Sequence, residues 1–283
     1  MTSASPPVPA TARAAVPPPA HRVWFGHLML AEWTKIRSVR STVWTLLLFV
    51  LLTVGFTTLF TWLTASNWTG RDAAARNASV AANPVGFILG AGIGLGQLTI
   101  CVLGVLVITT EYSTGVIRAS LLAVPRRLPM LAAKAAVFAL LMVIVAEIVA
   151  FACFFIGSAI LHSHVPVSLS GPNVLRAVFG AGLYLTVLGL FALAVGLLIR
   201  HTAGAITTVI GTVLVLPILS GLLPGSWGAH INAYLPEQAG SLIYSTHRDA
   251  TALLSAWQGF GVFCLWTAVL LAAGAYLLMR RDA

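Results

Sequence analysis

Six long apolar runs constrain this chain more than any other feature of its sequence. They cover about residues 42–63, 85–109, 135–161, 174–199, 203–223 and 257–279, and each is 21 residues or longer. At a rise of about 1.5 Å per residue, each helix would cross a hydrocarbon core of ~30 Å. A charged fraction of 8% also excludes an ordinary soluble domain, which carries roughly 25%. We therefore predict an all-α integral membrane protein with six transmembrane helices.

The positions of Lys and Arg set the expected orientation, because basic residues concentrate on the cytoplasmic flanks of membrane spans. With the N-terminus inside, 12 of the 16 basic residues fall on the inner side, and four (Arg71, Arg76, Arg176 and Arg248) fall outside. Both termini are therefore expected in the cytoplasm. The net charge of +9 then reflects these flanks and an anionic lipid bilayer, so no nucleic-acid partner is predicted.

Neither the N-terminal tail nor the cysteines predict a folded site. Residues 1–21 hold six Pro and six Ala without an apolar core, which indicates a disordered tail rather than a signal peptide. One membrane domain is expected over residues 22–283. The three cysteines lie inside apolar runs without metal-ligand spacing, so we predict neither a disulfide framework nor a metal site.

Residues 22–40, before the first run, form an amphipathic segment. At about 100° per residue, an apolar side that includes Trp33 faces away from a polar side that includes Arg37. This pattern predicts a helix lying in the inner membrane interface. Glu32 lies in the middle of the apolar side, where a carboxylate needs a partner. Two interpretations stay open: Glu32 bonds Lys35 or reaches water, or it anchors the helix to the 111–134 loop or to a partner protein.

A polar, basic loop from Glu111 to Lys134 separates the second and third runs. Residues 113–124 have helix-compatible apolar spacing, and Pro125 ends that helix. A short helix held at both ends by membrane spans is suited to docking in the groove of a cytoplasmic partner. We therefore predict a coupling helix between spans two and three.

Two further segments predict helix packing and outer-leaflet structure. Glycines at positions 86, 90, 92, 94 and 96 recur at four-residue spacings, which lets helix backbones approach closely. Residues 224–256 are too apolar for a solvated loop and too interrupted to span a bilayer. We predict one or two short helices there, dipping into the outer leaflet with aromatic side chains at headgroup level.

Chemical groups inside the membrane are few. No phosphate-loop motif occurs, so we expect neither ATP hydrolysis nor other catalysis by this chain. Glu147 is the one ionisable residue deep within a run, and such residues usually face protein or water. Three roles stay open for Glu147: a buried acceptor paired with Gln97 or a hydroxyl, a contact for a cationic or amphipathic substrate, or a carrier of a transported proton.

The chain resembles the membrane subunits of type-2 ATP-binding-cassette exporters, in particular short actinobacterial permeases. Span order and the sequences of residues 32–38 and 234–240 support the resemblance, which covers about residues 25–281. Its most specific pattern is the spacing of Glu111, Gly115, Leu122, Pro125, Arg127 and Lys134. A location in the bacterial plasma membrane is implied.

The resemblance implies that two permease subunits, identical or different, pair and that each contacts a separate cytosolic ATPase, which binds ATP and Mg²⁺. This chain would bind no cofactor and would form the path for an amphipathic drug, lipid or peptide, with Gln97 and Glu147 as candidate path residues. The interfacial helix would contribute Glu32, Trp33, Lys35 and Arg37. The coupling residues would be Glu111, Gly115, Val116, Ile117, Arg118, Leu121, Leu122, Pro125 and Arg127.

Two other functions compete with export. A secondary transporter could use Glu147 without a nucleotide partner, although paired halves with broken helices, common in such transporters, are not evident. The same architecture could instead serve an antibiotic-sensing or immunity complex.

Overall fold

The computed structural model of this protein describes residues 25–70, 73–115, 127–223, 225–247 and 252–280. These residues form helices without any β-strand. In chain order the helices are α1 (Phe25–Ser38), α2 (Arg40–Ser66), α3 (Ala73–Ala82), α4 (Pro84–Ser113), α5 (Arg127–Leu161), α6 (Val174–Ile199), α7 (Thr202–Gly221), α8 (Gly225–Tyr234), α9 (Pro236–Ser241) and α10 (Ala256–Arg280). A short 3₁₀ turn, Leu242–Tyr244, follows α9.

Six helices (α2, α4, α5, α6, α7 and α10) are long and apolar enough to cross a membrane. The predicted all-α class and number of spans are confirmed. The largest boundary difference is in α5, which begins at Arg127 rather than near residue 135. The predicted apolar run stopped at Lys134, but this lysine lies inside the helix and is buried. The predicted tail at residues 1–21 lies outside the described residues, as does most of the predicted coupling helix.

Two helices form the centre of the bundle. In the most apolar stretch of α6, 72% of residues are buried, and in α4 61%, whereas α2 and α7 each bury 17%. Helix α6 packs against α4, α5 and α10, and α2 packs against α4 and α5. Large side chains fill the centre, including Phe138, Phe154 and Tyr184. The outward faces of α2 and α7 remain apolar and exposed, as expected for surfaces that meet lipid or another subunit.

The contact between α2 and α4 is built from threonine and glycine. The buried face of α2 includes Thr53 and Thr57, and Cβ atoms placed at Gly92 or Gly96 of α4 would overlap these two threonines. Close packing is therefore confirmed at these two glycines. It is not seen at Gly90 and Gly94, where a Cβ would meet open space among the described residues.

The segments flanking the spans also contain helices. Helices α8 and α9 lie within residues 224–256, where short helices were predicted. Helix α3, an Ala-rich segment between α2 and α4, was not predicted. Helix α7 widens into a π turn at Gly211–Val215, immediately before Pro217, which has no amide proton to donate to the preceding turn.

Candidate functional site

Four charged side chains meet at one end of the bundle. Lys134 Nζ donates to Glu32 Oε2 and, at 2.6 Å, to Glu111 Oε1. Lys35 Nζ donates to Glu32 Oε1 at 2.7 Å and lies 3.5 Å from Glu111 Oε1. We call these four residues the ion quartet and this end the basic end. The quartet contains both lysines of the chain and carries no net formal charge.

Local helix geometry explains why these side chains converge. Glu32 and Lys35 lie one turn apart on the same face of α1. Glu111 lies in the last turn of α4, and Lys134 lies two turns into α5. The quartet therefore ties α1 to both spans that border the 111–134 loop. The two interpretations of Glu32 are compatible, because its carboxylate bonds both Lys35 and the loop-terminal Lys134.

The deep burial of two of its side chains makes the ion quartet a structural contact rather than a surface ion pair. The Lys134 and Glu32 side chains are 2% and 3% exposed, whereas that of Lys35 is 34% exposed. An isolated buried ion costs several kcal/mol, so Lys134 needs its carboxylate partners. Burial lowers the pKa of Lys35, but the hydrogen bonds and charges of Glu32 and Glu111 outweigh it and leave that pKa above its ordinary value. A cavity of about 60 Å³ borders the quartet.

The two ends of the loop are both fixed to the bundle. Gly115 follows α4 with a φ of +71°, a left-handed conformation that favours glycine. At the other end, Arg127 Nη1 donates to the carbonyl of Leu278 at 2.6 Å. Arg200 reaches the Leu277 carbonyl at 3.4 Å. These guanidinium groups cap the last turn of α10, whose carbonyls lack helical partners and attract positive charge.

Most of the predicted coupling element cannot be placed relative to these ends. Outside the described residues lie Val116, Ile117, Arg118, Leu121, Leu122 and Pro125. Trp33 and Arg37 of α1 are described, and both are exposed rather than part of the quartet. Helix α1 thus presents two kinds of surface, a buried one with Glu32 and an exposed one with Trp33 and Arg37.

The structure does not pair the two candidate path residues. Gln97 Oε1 accepts a hydrogen bond from the Tyr184 hydroxyl at 2.7 Å. The Glu147 carboxyl group packs against Gly182, and its Oε2 atom is buried without a hydrogen-bond partner among the described residues. Pairing of Glu147 with Gln97 is therefore not observed.

Several functional candidates escaped sequence reasoning. Lys134 was identified as the end of a loop and as part of the pattern that carries the resemblance, but no buried partner was predicted for it. Tyr184 lies within an apolar span, and the sequence around it did not predict a functional role. Glu237 lies in α9, and burial raises its pKa to about 7. Within the described part of the chain, no group of three or more His, Cys, Asp or Glu residues could hold a metal ion.

No protein-family model matches this chain, and no curated protein matches it. The geometry of the basic end is therefore the main basis for assigning a function.

Proposed function

We propose that this chain is the permease subunit of an ATP-driven exporter of the type-2 ATP-binding-cassette kind. The observation that supports this proposal most strongly is the position of Lys134. From α5, this lysine joins Glu32 of α1 to Glu111 of α4. With Arg127 bonded to α10, both ends of the 111–134 loop belong to one connected frame. A force applied to that loop would reach α1, α4, α5 and α10 together.

The energy source in this proposal is a separate cytosolic ATPase, because the chain has no phosphate-loop motif. The basic end faces the cytoplasm of a bacterial cell, where the loop contacts the ATPase. A second permease subunit, a copy or a related chain, covers part of the apolar face of α2 and α7. An amphipathic substrate crosses between the subunits.

Co-purification tests the coupling. The chain is expressed with the phosphate-loop ATPase encoded nearest to its gene, and Arg118→Glu and Leu121→Pro are compared with Arg76→Glu, an exposed charge reversal on α3. We expect the two loop variants to lose at least about 90% of the ATPase, since a charge reversal or a helix break removes the docking surface. Arg76→Glu should retain it, and all variants should insert normally. Full retention by both loop variants would contradict the assignment.

One observation favours a second candidate function. The unpartnered Oε2 atom of Glu147 is what a proton-coupled secondary transporter would need within the bilayer. Reconstitution of the chain without any ATPase separates the two functions. Substrate accumulation driven by a pH gradient alone, and abolished by Glu147→Gln, would support secondary transport instead.

A further inference from the structure

A cavity of about 310 Å³ lies at the end of the bundle opposite the ion quartet. It is enclosed by the beginning of α6, the segment that follows the 3₁₀ turn, and the beginning of α10. Its polar wall includes Asn173, Arg176, Ser245 and His247, and its apolar wall includes Leu242 and Leu254. We call it the Arg176 chamber. Its volume falls at the lower end of the range typical of small-molecule sites, roughly 300–1,000 Å³.

Arg176 brings a positive charge to this chamber, and no described residue neutralises it. Its Nη2 atom donates to the Ser245 carbonyl at 2.8 Å, whereas its buried Nε atom has no acceptor among the described residues. No carboxylate of the described residues forms an ion pair with it. A partly buried guanidinium group without a counter-charge raises the free energy of the folded chain. An anion in the chamber would supply the missing counter-charge.

The polar wall is held in place from two directions. Asn83, which caps the beginning of α4 by accepting from Gly86 N at 3.1 Å, also donates to Ser245 Oγ at 3.3 Å. The Thr246 hydroxyl donates to Asn83 Oδ1 at 2.8 Å. Arg176 holds the same segment from α6 through Ser245. The chamber is therefore preorganised rather than a gap between loosely packed segments.

The apolar wall extends beyond the chamber. A second cavity of about 320 Å³ shares Leu242, Ala252 and Leu254 with it. Trp257, at the beginning of α10, lines the chamber and is 61% exposed. Aromatic residues at this position are typical of the level of lipid headgroups. One cationic wall continuous with an apolar wall suits a ligand that has an anionic head and an apolar body.

We propose that the Arg176 chamber binds the phosphate group of an anionic amphiphile whose apolar part lies along Leu242 and Leu254. Arginine suits this ligand because its planar donors match phosphate oxygens. The proposal deepens the proposed function by naming a substrate class, and its role in transport rests on that function. Binding itself needs no ATPase, so the two proposals fail independently.

Calorimetric titration of the full chain in a neutral maltoside detergent tests the proposal. The probes are dihexanoyl-phosphatidylglycerol, dihexanoylglycerol, which lacks the phosphate, and sodium phosphate. We expect the phospholipid to bind at least about tenfold more tightly than either other probe, because dihexanoylglycerol lacks the charge-assisted hydrogen bond to Arg176 and sodium phosphate lacks the apolar chains. Arg176→Gln should weaken phospholipid binding at least about tenfold, whereas Arg76→Gln, on the exposed surface of α3, should leave it unchanged.

Two results would overturn the proposal. Equal phospholipid affinity of Arg176→Gln and the natural chain would remove Arg176 from the site. Phosphate binding as tight as phospholipid binding would indicate a site for free anions and exclude the amphiphile. If circular dichroism shows that Arg176→Gln does not fold, Leu254→Trp is the variant that tests the proposal. Its larger side chain fills space beside the wall that the two cavities share and leaves the Arg176–Ser245 bond intact. It should weaken phospholipid binding and spare phosphate binding, and undiminished phospholipid binding would again overturn the proposal.

Discussion

Lys134 has both of its carboxylate partners on other helices, and this arrangement explains its burial. Glu32 precedes it by 102 residues and Glu111 by 23. Without Lys134, the two carboxylates would share only Lys35 in a largely buried site, and each would disfavour the charged form of the other. A buried pair of this kind contributes little net stability, but removal of one partner is costly.

We therefore expect Lys134→Met to destabilise the protein by about 3–5 kcal/mol, because it leaves two carboxylates with one partly exposed lysine, Lys35, and so one negative charge uncompensated. Lys35→Met is the matched control, since Lys35 bonds the same carboxylate from a site that is 34% exposed. Its expected effect is below about 1 kcal/mol. Thermal or denaturant unfolding in detergent measures both. Equal stability losses in the two variants would show that burial of Lys134 does not set its contribution.

Residue-scale prediction succeeded where a local pattern demanded a partner and failed where the partner was distant. The apolar surroundings of Glu32 showed that it needs a bond, and its spacing identified Lys35. No local pattern could select Lys134, because that contact depends on how α1 and α5 pack together in the folded bundle. Arg176 was likewise counted only as an outer charge, since the chamber around it is assembled from three separate segments.

The contact between α2 and α4 shows how one helix accommodates another at the element scale. Four glycines recur along α4 at alternating positions, and only Gly92 and Gly96 face α2. Spacing in the sequence predicted close approach but could not select the face, because α4 is apolar all round. Span number, by contrast, followed from run length alone. Helix α3 was missed because ten residues of Ala-rich sequence give no membrane signal.

Alanine substitutions should separate the two faces of α4. A Cβ at Gly92 would overlap the backbone carbonyl of Thr53, which cannot rotate away. We expect Gly92→Ala to cost about 1–3 kcal/mol through overpacking. Gly94→Ala places the methyl group in open space and should be neutral or stabilising by up to about 1 kcal/mol, because glycine weakens helices. Unfolding in detergent measures both. A destabilising Gly94→Ala would place an unseen neighbour on that face.

At the scale of the whole molecule, the distribution of charge defines two different ends. The ion quartet and the arginine caps of α10 lie at one end, and the Arg176 chamber lies at the other. The excess of basic residues at the first end predicts that it faces the cytoplasm. The unequal number of basic residues at the two ends could be predicted from the sequence, because charge counts need no tertiary structure, and the orientation stays a prediction. The sequence could not predict the chamber, which exists only once α6, α10 and the 242–247 segment have packed.

Cysteine labelling in intact cells tests the orientation. Ser38 and Ser79 are exposed at opposite ends of the bundle, and each is replaced by cysteine after the native cysteines are removed. We expect a membrane-impermeant maleimide to label Ser79→Cys directly and Ser38→Cys only after permeabilisation. The reverse pattern would place the basic end outside and exclude coupling to a cytosolic ATPase.

The threonine face of α2 has a consequence for biogenesis. Thr53 and Thr61 donate to carbonyls of their own helix, at 2.7 and 2.6 Å. Of these three threonines, Thr57 alone reaches another helix among the described residues, at the Ile88 carbonyl. Helix α2 is synthesised before α4, so it can enter lipid with most of these hydroxyls already satisfied. Glu32 is only partly satisfied within its own helix, because Lys35 bonds its Oε1 atom whereas its Oε2 atom gains its partner only after Lys134 has been synthesised, about a hundred residues later.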